Sequence, residues 1–515
     1  MNGCQIFCSR LIETVTIKEN KMQVYNPYLP PDVCIPDGEP HVFGDRVYIF
    51  GSHDKAGGDA FCMLDYEVYS APVDDLAAWS SEGIIYRAAQ DPDYDEQNKY
   101  MYAPDVVRGN DGRYYLYYAM SGGHFTGPIH VAVCDHPAGK YTYYGCVRNP
   151  DGSAFRRNIT FDPGLLNDNG VIRLYYGWAL ALDRDLTRAQ MSPEMSEQLL
   201  AVEMDMFEKT REEIESEPSG IEGANVVRLD EDMLTVIEGP KRIVPGQFDA
   251  AGTCFEGHAF FEASSMRKVG DTYYFIYSSE AQHELCYATS KYPDRDFTYG
   301  GVIISNGDIG FNGRLPVNRA AATGNNHGSM AFINGQWYIF YHRQTHKTSF
   351  SRQGCAERIE ILQNGAIPQV EMTSCGLNGG PLAAFGSYPA VIACQLYKGT
   401  MPHISPQGVK EQIPYITHGN GEHYITDISQ GTHIGFKYFK FEGPVGLKLA
   451  VRGNGAGVFK VSVDGKAAGE IAVSPSEGWQ VCEGELFVDA GVGGLELEYA
   501  GNGFVELLEM EFKYI

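Results

Sequence analysis

Five segments of the chain share one pattern, in which a turn containing Gly, Asp or Asn is followed by a strand rich in aromatic residues. Five similar units of this size indicate a repeat architecture, where each unit stacks on its neighbours. Each unit is all-β in pattern, with apolar residues on both faces of its strands, as in sheets that pack on both sides. The repeat therefore predicts an all-β fold with a five-bladed β-propeller, and a β-sandwich with strands alike by chance is the alternative. The five segments are Gly44–Ser52, Asp111–Ala119, Asn169–Trp178, Gly270–Ser279 and Asn334–His342.

After the fifth repeat the composition changes at a glycine-rich stretch, Gly376–Gly386. Short alternating strands separated by Gly-Asn-Gly turns follow, which is typical of a small β-sandwich of jelly-roll type. The sequence predicts a propeller domain over residues 22–380 and a β-sandwich domain over residues 388–515. Because a separate domain has its own core, we expect a truncation near Gly386 to spare chemistry on small substrates.

The longest interval between repeats contains an insertion, at about residues 186–217, with a helical pattern. Ser192 followed by Pro193 is typical of a helix N-cap and first helical position. Apolar residues then recur near helical spacing, which predicts one amphipathic helix that ends before Pro218. We expect this helix to pack on the propeller and to take no part in the chemistry.

The charge balance limits the possible partners of the chain. It has 40 basic and 66 acidic residues, which gives a formal net charge of −26. This excess argues against nucleic acid, an anionic membrane surface or an acidic polysaccharide as a partner. The twelve cysteines show neither a CxxC pair nor a metal-type spacing, which favours free thiols in a reducing compartment.

The first 21 residues precede the recognisable repeats. Charged residues interrupt any apolar run in this segment, so it does not resemble a secretory signal. We therefore expect a cytoplasmic location. Since Met22 stands just before the first recognisable segment, residues 1–21 are expected to be either a poorly ordered extension or the product of an upstream start site.

Three carboxylates stand just upstream of repeat strands: Asp37 in IPDGEPHVF, Asp162 in ITFDPGLL and Glu262 in FFEASSM. Strand openings in a propeller converge on the central channel, so a site there draws residues from several blades. A carboxylate among apolar residues can keep its proton near neutral pH, as the general acid of a sugar-cleaving enzyme must. Asp105, before the second strand, and Glu39, beside Asp37, are rival candidates.

The motifs NPYLPPDVCIPDGEP, MYAPDVV, FDPGLL and FFEASSMRK occur in this order and together resemble glycoside hydrolase family 43, over about residues 24–375. The resemblance implies a five-bladed propeller that cleaves glycosidic bonds with inversion. It places the general base on Asp37, the residue that modulates the pKa of the acid on Asp162, and the general acid on Glu262. The family usually has Asp-Pro at the base, whereas Asp37 is followed by Gly, so Glu39 stays open as the base.

Members of that family include α-L-arabinofuranosidases, β-xylosidases, endo-arabinanases and some β-galactosidases. The resemblance implies an exo-acting α-L-arabinofuranosidase whose partners are plant oligosaccharides or polysaccharides of the hemicellulose type, containing arabinose or xylose. A β-xylosidase, a β-galactosidase and a non-catalytic sugar-binding propeller are the alternatives. A retaining fructosidase of family 32 fits less well, because the chain lacks an Asp-Pro-Asn motif near its start.

Further residues are candidates for substrate or metal binding. Tyr102, Trp178 and His258 could flank a sugar with their ring faces or could pack within the blades. Arg343 could hydrogen-bond sugar hydroxyls or neutralise a carboxylate. For His327, in GNNHGSM, the resemblance implies a place in the central channel beside a bound ion, typically calcium, or water, and a buried hydrogen-bonded histidine is the alternative. The hydrolytic chemistry itself requires no cofactor.

The C-terminal part, residues 388–515, resembles a family 6 carbohydrate-binding module. The segments GTHIGFKYFKF, VFKVSVDGKAAGEI and GGLELEYAGNG carry this resemblance. Such modules often bind sugar between exposed aromatic rings, and Trp479 is the one tryptophan in this part of the sequence. Tyr438 and Phe439 could belong to the core instead, so sugar binding and a purely structural role both remain open.

Overall fold

The computed structural model describes residues 23–121, 127–182, 190–217 and 220–515. The expected N-terminal extension, residues 1–21, and the first residues of the insertion, 183–189, lie outside the described ranges. None of the helices within these ranges is long and apolar enough to cross a membrane. Every cysteine in the same ranges is a free thiol, as the sequence predicts.

The first two-thirds of the chain forms five antiparallel sheets, which we call blades one to five. Blade one comprises β1 (Glu39–Phe43), β2 (Arg46–Phe50), β3 (Tyr66–Pro72) and β4 (Ser80–Tyr86). A short ribbon pairs β5 (Tyr100–Met101) with β8 (Met120–Ser121), and blade two comprises β6 (Asp105–Arg108), β7 (Tyr114–Tyr118), β9 (His130–Cys134) and β10 (Thr142–Cys146). Blade three comprises β11 (Gly164–Asp168), β12 (Val171–Trp178), β13 (Gly223–Leu229) and β14 (Val236–Pro245).

Blade four comprises β15 (Phe260–Val269), β16 (Thr272–Ser279), β17 (Glu284–Ser290) and β18 (Thr298–Ser305). Blade five has three strands, β19 (Met330–Ile333), β20 (Gln336–Gln344) and β21 (Arg352–Ile359). Asn26 closes the ring beside β21, because its side chain accepts from the amide of Ala356 (3.0 Å) and donates to the carbonyl of Ala356 (3.0 Å). The predicted all-β, five-bladed propeller is confirmed.

The repeated aromatic strands fill the space between blades. Along β16, Tyr274 and Ile276 pack toward blade five, whereas Phe275 and Tyr277 pack toward blade three. Equivalent apolar clusters lie between each of the other neighbouring blades, including blades five and one. Burial on both faces therefore explains why these strands read as nearly continuous apolar runs.

The turns between the first two strands of a blade explain the recurring Asn-Gly pairs. Asn169 and Gly170 both have positive φ (53° and 92°), as do Asn334 and Gly335 (46° and 85°). A two-residue turn with two positive φ angles matches the twist of the flanking strands, and Asn-Gly is the pair that adopts it most easily. The turn chemistry therefore fixes where each second strand begins.

The insertion forms two helices, α1 (Pro193–Phe207) and α2 (Arg211–Glu215), where the sequence predicted one. Ser192 caps α1 by accepting from the amide of Met195, as its position before Pro193 suggested. Glu208 then takes a left-handed conformation that ends α1, and Thr210 starts α2 with a capping box. The single-helix prediction was wrong because periodicity gives no sign of this tight break.

The C-terminal part forms two facing six-stranded sheets. One contains β22 (Leu382–Ala383), β24 (Gln395–Tyr397), β27 (His433–Phe441), β29 (Ala456–Val463), β30 (Lys466–Val473) and β32 (Gly491–Asn502). The other contains β23 (Gly386–Pro389), β25 (Tyr415–Gly419), β26 (Glu422–Ile428), β28 (Val445–Gly453), β31 (Ser476–Leu486) and β33 (Val505–Tyr514). A single apolar cluster that includes Phe436 and Phe439 lies between them, so this is a β-sandwich with its own core.

Backbone hydrogen bonds tie the sandwich to the propeller. The amide of Leu396 donates to the carbonyl of Ala320 (2.8 Å), and the amide of His346 donates to the carbonyl of Ile416 (2.9 Å). These bonds join the loops around blade five to the first strands of the sandwich. The two domains are thus in direct contact at the face of the propeller that carries these loops.

Candidate active site

The carboxylates Asp37, Asp162 and Glu262, from three different blades, line one cavity of about 470 Å³. This volume lies within the range of about 300–1,000 Å³ that is usual for small-molecule sites. All three side chains are buried, with exposed fractions of 3%, 3% and 8%. The sequence-predicted acid–base residues therefore meet in one place, which is the arrangement that hydrolysis of a glycosidic bond requires.

Local backbone features aim these side chains into the cavity. Asp37 and Asp162 have left-handed φ angles of 58° and 46°, a conformation that Asp tolerates better than most residues. Glu262 lies in β15 between two register irregularities, and a bulge of this kind can redirect a side chain out of a regular sheet. Gly164 lets β11 approach β15 closely, because a Cβ there would lie 2.3 Å from the carbonyl oxygen of Ser264.

Asp37 has the environment of an ionised base. Nη1 of Arg352 donates to its Oδ1 over 2.9 Å. Burial alone would raise the pKa of Asp37, but the Arg352 guanidinium holds it well below its usual range. Asp37 is therefore negatively charged at neutral pH and able to accept a proton from water.

Glu262 has the opposite environment. Burial raises its pKa to about 7, and the nearby negative charge of Asp37 acts in the same direction. Hydrogen bonds from Asn325 Nδ2 (3.2 Å) and from Trp178 limit the rise. A carboxyl group that retains its proton near neutral pH can serve as a general acid.

Asp162 lines the same cavity and interacts electrostatically with both of these groups. Its Oδ2 accepts from the amide of Ala263 (3.0 Å), in the same strand as Glu262. Burial raises the pKa of Asp162, and the carboxyls of Glu262 and Asp37 raise it further. Because like charges repel, each of the two carboxyls Asp162 and Glu262 makes loss of the proton from the other less favourable.

A chain of hydrogen bonds connects the candidate base to the candidate acid. Nδ1 of His342 accepts from the amide of Asp37 (3.3 Å), and its Nε2 donates to the carbonyl of Asn325 (2.8 Å). The side chain of Asn325 in turn binds Glu262. His342 and Asn325 therefore set the relative positions of the two carboxylates, although neither was singled out from the sequence.

The two rival carboxylates lie outside the cavity. Oε2 of Glu39 accepts from Arg267 (2.7 Å), while Asp105 binds His41 (2.6 Å) and the amide of Leu165 (2.6 Å). Asp105 joins blade two to blades one and three, Glu39 joins blade one to blade four, and neither side chain lines the cavity with Asp37. The geometry thus favours Asp37 over Glu39 as the base.

His327 lies between two of the carboxylates. Its Nδ1 is 3.5 Å from Oδ2 of Asp162 and 3.9 Å from Oδ1 of Asp37. Burial lowers the pKa of His327 to about 4, so the ring is neutral at neutral pH.

Calcium prefers six to eight oxygen ligands, and His327 and its two carboxylate neighbours supply far fewer. Asp37 is also already paired with Arg352. In the described ranges, the clusters of three metal-ligating side chains lie elsewhere: His258, Glu284 and Cys286; Glu39, His41 and Asp105; Asp91, Asp93 and His130. These clusters do not include His327, and a calcium ion beside it stays a prediction.

Aromatic rings form much of the remaining wall. Tyr102 and Trp178 line the cavity, as predicted for substrate-binding residues, together with Phe61, Phe161 and Phe261. Met206, from α1, also lines the cavity. The sequence predicted that the helical insertion only packs on the propeller, but the insertion also contributes to the cavity wall. Phe161 and Phe261 directly precede Asp162 and Glu262 in the motifs ITFDPGLL and FFEASSM, whereas Phe61 lies in none of the quoted motifs.

The structure places two predicted substrate-binding residues elsewhere. His258 binds Glu284 (2.8 Å) and stacks on Tyr299 with ring centroids 4.6 Å apart. Arg343 donates to the carbonyls of Val391 and Ala393, so it anchors the sandwich domain to blade five. These assignments are corrected, and the cavity arginine is Arg352, which the sequence analysis missed.

Comparisons with known proteins identify the family of the chain. The family model for "Glycosyl hydrolases family 43" matches residues 34–231. A "Xylosidase/arabinosidase" of Thermoclostridium stercorarium is 44% identical over 502 residues, covering 95% of this chain and 98% of that protein. A "Xylosidase/arabinosidase" of Bacteroides ovatus is 31% identical over 341 residues, covering 62% of this chain and 89% of that protein.

Among solved structures, a family 43 arabinoxylan arabinofuranohydrolase from Bacillus subtilis is similar over 95% of this chain and 97% of its own. The two chains are 20% identical and the TM-score is 0.46. The Thermoclostridium relative is 44% identical in sequence over nearly the full length of both chains, which is enough to assign the family. The chain therefore belongs to family 43 of the glycosyl hydrolases, a family of inverting glycoside hydrolases.

Proposed function

We propose that the protein is an exo-acting glycosidase that releases terminal α-L-arabinofuranosyl and β-D-xylosyl units from plant oligosaccharides with inversion. The observation that carries this proposal is the pairing of an ionised Asp37 with a Glu262 whose pKa is about 7 in one cavity. A non-catalytic sugar-binding protein has no need for two buried carboxylates in opposite protonation states.

The mechanism uses one water molecule and two proton transfers. Asp37 takes a proton from water as the water oxygen bonds to the anomeric carbon. Glu262 gives its proton to the glycosidic oxygen as the bond from that oxygen to the anomeric carbon breaks. Water attacks from the face opposite the leaving group, so the product has the inverted configuration.

Asp162 and Arg352 support this division of roles. Asp162, as a carboxyl neighbour, makes loss of the proton from Glu262 less favourable. Arg352 keeps Asp37 ionised. No cofactor enters these steps, because two carboxyl groups and water supply every proton that moves.

The choice of sugar rests on the cavity and on the relatives. The cavity combines aromatic faces with a few buried polar groups and has a volume suited to a small neutral ligand. The Thermoclostridium and Bacteroides relatives are both named "Xylosidase/arabinosidase". Both pentoses are therefore proposed as substrates, and the strongly acidic chain agrees with neutral sugars.

A substrate panel tests the proposal. Nitrophenyl α-L-arabinofuranoside, β-D-xyloside and β-D-galactoside are compared with arabino- and xylo-oligosaccharides, using Asp37→Asn as the inactive control. We expect the arabinofuranoside to be cleaved fastest and the xyloside to be cleaved as well. Cleavage of galactosides alone would refute the proposed sugar, and activity that survives in Asp37→Asn would refute the proposed base.

A further inference from the structure

We propose that the segment Met401–Pro406 of the C-terminal domain forms the leaving-group wall of the catalytic cavity, and that His403 contacts the sugar unit on that side. This inference rests on the proposed function and identifies a specificity-determining residue for it. His403, Ile404, Ser405 and Pro406 line the same cavity as the three carboxylates. They belong to the connection between β24 and β25 of the sandwich.

The segment is held against the propeller by its backbone. The amide of Thr323 donates to the carbonyl of Pro402 (3.1 Å), and the amide of Ile404 donates to the carbonyl of Thr323 (2.6 Å). Oγ of Ser349 donates to the carbonyl of Ile404 (3.3 Å). Because these bonds reach loops before β19 and after β20, the segment has a fixed position over blade five.

His403 is oriented from both sides of its ring. Its Nδ1 lies 3.1 Å from Oγ1 of Thr323, and its Nε2 lies 3.2 Å from Oε1 of Gln282. The residue is nevertheless exposed, and Gln282 also lines the cavity. The imidazole is therefore positioned at the cavity wall with part of its surface available to a ligand.

The neighbours of His403 place it on the side of the general acid. Thr323 is two residues before Asn325, whose side chain binds Glu262. Gln282 follows β16, the strand that pairs with β15, which carries Glu262. Since the general acid donates to the leaving oxygen, the sugar unit that departs must lie near Glu262 and therefore near this wall.

A contact at this wall predicts a dependence on the leaving group. A leaving sugar offers a hydroxyl group that can replace Oε1 of Gln282 as the partner of Nε2 of His403, and further hydroxyl groups to Ser405, whereas a nitrophenol offers none in the same positions. Loss of one such hydrogen bond lowers kcat/KM by about five- to tenfold. The propeller would thus supply the chemistry, and the sandwich would select the sugar on the leaving side.

The test compares His403→Ala and His403→Gln with wild type on a nitrophenyl glycoside and on an oligosaccharide of the same terminal sugar. His433→Ala is the matched control, because His433 is a sandwich histidine that stacks on Tyr397 and binds Glu496 outside the cavity. We expect His403→Ala to lower kcat/KM on the oligosaccharide about five- to tenfold, mainly through KM, with less than about a twofold change on the nitrophenyl glycoside. His403→Gln should recover part of the loss, and the pH profile should not move.

Equal losses on both substrates, or no loss on either, would overturn the inference. A shifted pH profile would also overturn it, because it would show that His403 acts through Glu262 and does not contact the sugar. If the enzyme proved to cleave galactosides, the proposed sugar would fail by itself. The same comparison on galacto-oligosaccharides would then still decide the role of His403.

Discussion

Nη1 of Arg352 donates a hydrogen bond to Oδ1 of Asp37 over 2.9 Å, and both side chains are almost completely buried. The same guanidinium binds Asp54 twice, from Nε to Oδ2 (2.8 Å) and from Nη2 to Oδ1 (3.0 Å). The buried Arg352 guanidinium thus forms ion pairs with two buried carboxylates, Asp37 and Asp54, and Asp37 is the one that lines the cavity. The charge of the candidate base therefore depends on a residue from blade five, at the other end of the propeller sequence.

Arg352→Met should lower the activity at neutral pH, because it reduces the ionised fraction of Asp37. Without the guanidinium, burial raises the pKa of Asp37, so the acidic limb of the kcat/KM profile should move to higher pH. Removing one partner from a buried ion pair costs about 3–5 kcal/mol of unfolding free energy. The depressed pKa of Asp37 stabilises the fold above the pKa of an unfolded aspartate, and this contribution is lost as pH falls through the folded value. Chemical denaturation at several pH values measures the stability, and initial rates measure the profile.

Arg267→Met provides the control for this experiment. Arg267 pairs with the buried Glu39 over 2.7 Å, but neither residue lines the cavity. This substitution should also lower stability, while the acidic limb should stay where it is in the wild type. A limb that moves equally in both variants would mean that the shift reflects general destabilisation and not the environment of Asp37.

Asp162→Asn should move the alkaline limb of the kcat/KM profile. The substitution removes a carboxyl neighbour of Glu262, so the pKa of Glu262 should fall from about 7. Glu262 then loses its proton at lower pH, and the alkaline limb of kcat/KM should shift downward by about one pH unit. Initial rates from about pH 5 to pH 9 would show it. An alkaline limb that stays in place or moves upward would contradict the modulating role of Asp162.

The sequence made Asp37, Asp162 and Glu262 visible because each stands before a repeat strand within a short motif. The repeat itself predicted the blades, since turn chemistry and aromatic strands are local properties. Arg352 and His403 had no such signal, because their partners lie far away in the sequence and meet them only when the ring closes and the domains dock. The cytoplasmic location and the sugar-binding role of the sandwich stay predictions.

His258 and Arg343 were misplaced for a related reason. Their residue types suit sugar binding, but the partners that hold them, Tyr299 and the carbonyls of Val391 and Ala393, cannot be found by inspection of the sequence. Residue type therefore identified chemistry that was possible, and only the tertiary contacts showed where the side chains point.

Truncation before the sandwich should impair the enzyme, contrary to what the sequence suggested. Arg343 would lose its two carbonyl partners, and Thr323 would lose its bonds to the segment that carries His403. We expect a chain that ends at residue 380 to unfold at lower temperature and to lose activity most strongly on oligosaccharides. Thermal unfolding and kcat/KM on matched substrates measure both effects. A truncated protein with wild-type stability and activity would show that the domains are independent.

The last prediction separates the acid from the base. Glu262→Gln removes the proton donor but keeps the size of the side chain, so the loss should depend on the leaving group. On alkyl glycosides and oligosaccharides the rate should fall by about 10²- to 10⁴-fold, whereas a dinitrophenyl glycoside needs little protonation and should be partly spared. Asp37→Asn should instead slow every substrate, because the attacking water must be deprotonated whatever group departs.

Glu39→Gln serves as the control for both variants, since Glu39 is buried beside Arg267 and outside the cavity. It should retain most of the activity of the wild type. Proton NMR of the wild-type reaction should show the product first in the inverted configuration, before mutarotation. A retained first product would overturn the mechanism. An inactive Glu39→Gln beside an active Asp37→Asn would move the base by two residues, and the role of Glu262 as the acid would still follow from its pKa and from the dependence on the leaving group.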